Sequence, residues 1–163
     1  MNAEQYSQKL QEKFHQMKCK LEHDHLGKYS VIIASGVDKG GSFFTTKYFY
    51  IYVHQSYYEM ELHGFLDFID IVRINTGRFF NKLKFLRMKA AFSIPIIISG
   101  SGFTSETIEN VQKTNRLNIG EIIIPILINL PQNRFITLER YGFIGRIPYG
   151  FEANYLKKTF NLF

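Results

Sequence analysis

A single cysteine, Cys19, is all the thiol chemistry in this chain of 163 residues. It has no partner for an internal disulfide, and no cysteine pair exists for a zinc knuckle or a redox motif, which is compatible with a reducing cytosol. Long apolar runs are also missing. Those present are too short and too interrupted to span a bilayer, and the opening Met-Asn-Ala-Glu-Gln-Tyr-Ser-Gln lacks the basic-then-apolar order of a signal peptide. These absences predict a soluble, cytoplasmic protein without a membrane span. No internal repeat or low-complexity linker is visible. The length predicts a single domain that buries roughly two-thirds of its unfolded surface without a disulfide or metal, and the strand-to-helix unit at 94–113 makes it α/β.

Acidic residues are absent over one long interval, from Ile71 through Ser105. Within it Arg78, Lys82, Lys84, Arg87 and Lys89 alternate with the apolar Phe79, Leu83, Leu86 and Ala90, which predicts a basic amphipathic helix over about 78–90. Such a helix grips phosphates, lies on an anionic membrane, or is a solvated face. The formal net charge of +6 favours polyanionic partners through counterion release, so DNA or RNA is a candidate partner.

The remaining elements follow from periodicity. Tyr6, Leu10, Phe14, Met17 and Leu21 recur at helical spacing and predict a helix from 3 to about 24, ended by Gly27. Glu22-His23-Asp24-His25 at its end are four potential metal ligands, or histidines complementing the helix dipole. A short strand, Tyr29 to Ala34, leads into a Gly-rich loop, Ser35 to Gly41. An aromatic strand region follows over 42–54, with Phe43, Phe49, Ile51 and Val53 on the expected core face and Phe44, Tyr48, Tyr50, Tyr52 and His54 on the other. That tyrosine row is either a stacking platform for bases or the second face of the sheet packed under a helix. Phe65, Phe68, Ile69 and Val72 predict a helix over 60–74, which Asn75-Thr76-Gly77 should interrupt.

Ile96-Ile97-Ile98 is apolar at consecutive positions, as a strand covered on both faces is. It runs through Ser99-Gly100-Ser101-Gly102 into a helix that Thr104 should cap, with Phe103 stapled onto Ile108. The Gly-rich turn is similar to a phosphate cradle, although it lacks the P-loop lysine and the third glycine of a dinucleotide fingerprint. Ser101 has no nucleophile-elbow context, because Ser99 and Phe103 stand where glycines are needed. Another strand spans Gly120 to Leu130, where Pro125 predicts an edge position or a bulge. The expected core is about 3–130, followed by an aromatic, Gly-rich extension over 131–163. Together these elements predict a central mixed sheet of four to five strands flanked by helices. The rival arrangement is a Rossmann-like parallel sheet, and antiparallel pairing of the region 42–54 would decide against it.

Three segments in order resemble the landmarks of Mrr-type restriction endonucleases of the PD-(D/E)xK superfamily. They are Asp38-Lys39-Gly40-Gly41, then Ile51-Tyr52-Val53-His54-Gln55, then Ile96 through the Gly102-Phe103-Thr104 turn. The resemblance covers about residues 30 to 130 and is sharpest at Gly-Phe-Thr. It implies a restriction-endonuclease-like core, with Asp38 as metal-binding acid and Gln55 at the second ligand position. Tyr57 stands where the family's catalytic lysine belongs. The resemblance therefore implies a catalytically degenerate, nuclease-like nucleic-acid-binding protein, or, if active, a metal-dependent endonuclease using Mg²⁺. The alternative is an interaction or assembly module whose aromatic C-terminal tail docks a protein partner or forms a homo-oligomer.

Overall fold

The computed structural model describes residues 1–38, 47–82, 91–113, 117–118, 121–138, 143–144, 147–148 and 156–163. Helix α1 (Ala3–Gln16) opens on a capping box. The Asn2 side chain accepts the Gln5 N–H at 2.9 Å, while the Gln5 side chain accepts the Asn2 N–H at 3.0 Å. Its stripe of Tyr6, Leu10 and Phe14 is fully buried. The helix ends earlier than its apolar spacing suggests. Lys18 takes a left-handed φ of 57°, and the chain leaves in β1 (Lys20–Leu26). Leu21 fits helical spacing from Met17, but it and its neighbours pair antiparallel with residues 29–35 as a strand. Gly27, with φ 61°, does not end a helix. It turns the tight hairpin in which Leu26 pairs with Tyr29, a turn that demands positive φ.

From the hairpin the chain continues through β2 (Tyr29–Asp38), β3 (Lys47–Ser56), α2 (Leu62–Lys82), β4 (Ala91–Ser99) and α3 (Ser105–Lys113). The short strands β5 (Leu117–Asn118), β6 (Glu121–Ile123), β7 (Ile126–Asn129) and β8 (Arg134–Ile136) complete the sheet. Its order is β1-β2-β3-β4-β6-β5, six positions wide rather than four or five, with β7 also beside β4 and β8 beside β7. The pairs β1–β2 and β2–β3 are antiparallel, whereas β4 runs parallel to β3, β6 and β7. A wholly parallel, Rossmann-like sheet is therefore excluded.

β6 and β7 are one line of chain, because both face β4 at the same offset: Ala91 opposes Glu121, and Ser99 opposes Asn129. Between them that register sets Pro125 opposite Pro95, and neither residue has an N–H for the ladder. Pro125 thus interrupts an interior line, with β5 and β8 beyond it. It marks neither an edge nor a bulge. Its carbonyl accepts the Thr137 hydroxyl at 2.9 Å.

The two faces of the sheet carry separate cores. Ile96 and Ile98 join Tyr6, Leu10, Phe14, Ile51 and Val53 on the α1 side, and Ile97 joins Val31, Tyr52, Phe65, Phe68 and Val72 on the α2 side. All three isoleucines are fully buried, as their consecutive spacing predicts. Tyr52 belongs to the sheet face beneath a helix, its hydroxyl 2.8 Å from Thr76 Oγ1, to which Ser93 Oγ also donates at 2.9 Å. That buried contact explains why Asn75-Thr76-Gly77 does not break the helix. Thr76 occupies the inner face of α2, and Gly77 sits where a side chain would meet nothing within 4 Å. One helix runs through both expected segments as far as Lys82, and residues 83–90 lie outside the described ones.

The core also passes residue 130. Leu138, Leu156 and Phe160 pack with α1, where Tyr6 Oη donates to the Phe160 carbonyl at 2.6 Å and the Phe14 and Phe160 rings meet edge to face at 5.8 Å. Among the described residues, the strands β9 (Phe143–Ile144) and β10 (Ile147–Pro148) pair with each other alone. No helix among the described residues is long and apolar enough to cross a membrane.

Candidate functional site

The parallel strands β3, β4 and β7 end together, placing Ser56, Ser99 and Asn129 abreast. This side, beyond the carboxyl ends of parallel strands, is where α/β sheets take ligands. All three residues are buried. Ser99 Oγ accepts the N–H groups of Ser101 at 3.2 Å and Gly102 at 2.9 Å, so the amides a phosphate cradle would offer are already bonded. Gly102 holds φ 92°, and Asn129 Oδ1 caps the neighbouring turn through the Gln132 N–H at 3.3 Å.

The Gly-Phe-Thr segment has a structural task of its own. Met60 N–H donates to the Gly102 carbonyl at 3.2 Å, and Thr104 N–H donates to the Met60 carbonyl at 3.3 Å, latching the turn to the entry of α2. Thr104 Oγ1 accepts the Thr107 N–H at 3.3 Å as the predicted cap, and Phe103 and Ile108 share one apolar cluster.

Beside this turn, the start of α1, the β1–β2 hairpin and the end of β3 enclose a groove of about 410 Å³. Ser7, His23, Lys28, Ser30, Gln55 and Tyr57 are among its lining residues, and no carboxylate is. Gln55 Nε2 reaches the Ala3 carbonyl at 3.4 Å. The Lys28 ammonium lies 2.8 Å from Asp67 and 5.2 Å from the centre of the Tyr29 ring. Tyr29 Oη is 2.9 Å from both the Gly64 carbonyl and Asp67 Oδ2, and burial together with that carboxylate pushes the phenol up to about 12. Lys28 and Tyr29 in turn hold the Asp67 carboxyl below its ordinary range.

His54, also in the groove wall, gives Nδ1–H to the Ser30 carbonyl at 3.0 Å and meets the Tyr29 ring edge to face at 5.1 Å. Burial lowers its pKa below the ordinary 6.5. Folding therefore favours the neutral ring, and the unfolded state binds more protons as pH falls below about 6.5 and down through the lowered folded value. Stability should decline across that window. His54→Phe should flatten the decline, measured as the urea midpoint at about pH 7.5 against about pH 5.5. An unchanged slope in the variant would refute the assignment.

Asp38 and Gln55 are not brought together. Asp38 pairs with Lys47 at the start of β3, whereas Gln55 lies near that strand's other end, about 26 Å away at the rise of an extended strand. Positions 78 and 82 continue the line of Asp70 and Ile74 along α2, while Lys84, Arg87 and Lys89 lie outside the described residues. Glu22, His23, Asp24 and His25 stand on the edge strand β1 rather than at a helix end, Glu22 paired with Lys20. No group of three or more His, Cys, Asp or Glu able to hold a metal occurs among the described residues.

Lys28, Ser30 and Tyr58 are groove residues that periodicity did not single out. Gly27, a residue free to take positive φ between Leu26 and Tyr29, was the available signal for the hairpin that positions the first two. Comparisons with protein-family models, with curated proteins and with solved structures find no match to this chain.

Proposed function

We propose that this chain is a nucleic-acid-binding protein on a nuclease-like core that has lost its catalytic groups. The observation that carries the reading is the groove at the strand ends. It holds Gln55 and, two residues on, Tyr57, without a carboxylate in its lining. The antiparallel β2–β3 pair followed by a helix and a parallel strand supports the nuclease-like order. Phosphodiester hydrolysis through Mg²⁺ needs several oxygen ligands around the ion. The residues here do not fit that ion, because Asp38 stands at the opposite end of the β2–β3 ladder.

Binding is supported by the net charge of +6 and by the interval free of acidic residues that holds Arg78, Lys82, Lys84, Arg87 and Lys89. The alternative, assembly through the aromatic tail, draws no support from residues 156–163, whose Phe160 packs on the chain's own α1.

At about 50 mM salt the chain should bind DNA or RNA, and reversing charge at Lys82, Lys84 and Arg87 together should weaken binding on the order of tenfold or more. Neither Mg²⁺ nor Mn²⁺ should elicit cleavage. Undiminished binding by the charge-reversed variant would sink the binding reading. Cleavage abolished by Asp38→Ala would sink the claim of lost catalysis.

A further inference from the structure

We propose that the groove beside Tyr57 and Tyr58 binds single-stranded nucleic acid, the two tyrosines stacking on successive unpaired bases. This rests on the reading of the chain as a nucleic-acid-binding protein and assigns it a site separate from the basic run after Arg78. The first observation is exposure. Tyr57 and Tyr58 are 79% and 66% exposed, adjacent in sequence, and both line the groove, whereas Tyr6, Tyr29 and Tyr52 are buried.

The second observation is that the backbone carrying these rings is pinned. Tyr58 O accepts Ser56 Oγ at 2.8 Å and Ser99 Oγ at 3.5 Å, and Tyr57 O accepts Ser101 Oγ at 3.3 Å. Ser56 and Ser99, which end β3 and β4, and Ser101 in the turn after β4 therefore fix a two-residue segment whose rings remain exposed. A platform ordered in advance loses little further freedom when a ligand arrives.

The exposed rings, together with a lining free of repelling charge, identify the occupant. The lining has Lys28 and His23 and no carboxylate, which suits a phosphodiester backbone. Lys28 is shared with Asp67, so attraction to phosphate is modest here and stacking dominates. Stacking requires bases with free faces, which single strands offer and duplexes do not.

The test uses the full chain and fluorescence anisotropy with an oligothymidylate of about twelve nucleotides, a duplex of equal length, and an abasic strand. Y57A/Y58A should bind the oligothymidylate roughly ten- to hundredfold more weakly and leave duplex binding unchanged, while Y57F/Y58F should bind like the parent. The parent should hold the abasic strand as weakly as Y57A/Y58A holds the oligothymidylate. If Y57A/Y58A binds the oligothymidylate as the parent does, the site is wrong and the wider binding reading stands. If the parent binds no nucleic acid at all, both fall. A parent dimer, seen by light scattering, that Y57A/Y58A dissolves would assign the tyrosines to a protein interface and overturn the proposal.

Discussion

Phe160→Ala is expected to destabilise the protein by about 3–5 kcal/mol, the range for removing a fully buried aromatic ring. Phe160 is wholly shielded from solvent and meets Phe14 edge to face, and its carbonyl accepts the Tyr6 hydroxyl. Burial also pushes that tyrosine's pKa up to about 12, consistent with a phenol enclosed between α1 and this segment. The ring packs in the same core cluster as the α1 stripe, so its loss leaves a cavity beside Phe14 as well as removing transfer energy. Urea unfolding measures the change. Phe163→Ala is the control, because that ring is 44% exposed and should matter by well under half as much. A cost below about 1 kcal/mol at Phe160 would show that residues 156–160 are not part of the core.

Ile97→Ala should cost about 2–5 kcal/mol. Ile97 lies in the interior strand β4, pairs with His54 on one side and Leu127 on the other, and faces the α2 cluster. Close packing on every side leaves little room for collapse after truncation. Ile74→Ala is the matched control. Ile74 is 57% exposed on α2 and should move stability by less than about 0.5 kcal/mol. Equal effects at the two positions would contradict the two-faced burial of β4.

Where local chemistry and tertiary packing agree, sequence reading succeeded. Ile96-Ile97-Ile98 announces burial on both faces, and Thr104 caps α3 because the hydroxyl and the helix amide are neighbours in the chain. Where they compete, packing prevailed. Asn75-Thr76-Gly77 looks like a break, yet Thr76 serves a buried contact with Tyr52 and Ser93 that only a continuous helix provides. Leu21 continued a helical period and so hid the edge strand β1, since a leucine four residues after Met17 also fits a strand. The site was harder to see for a geometric reason. Asp38 and Gln55 suit a shared role by residue type and order, but antiparallel pairing sends the end of β2 to the start of β3, away from Gln55. Tyr57 is evident in the sequence only as the wrong residue for catalysis. Its ring becomes informative once serines 56, 99 and 101 are seen to hold its segment.

The contact between Tyr6 and Phe160 joins positions 154 apart in the chain. The capping box of α1 is local, but the helix's apolar stripe must wait for partners from β3, β4, β7 and the segment at 156–160. Pairings of such long sequence separation are slow to form. During synthesis the apolar stripe of α1 therefore stays uncovered until the last of these partners has emerged and docked.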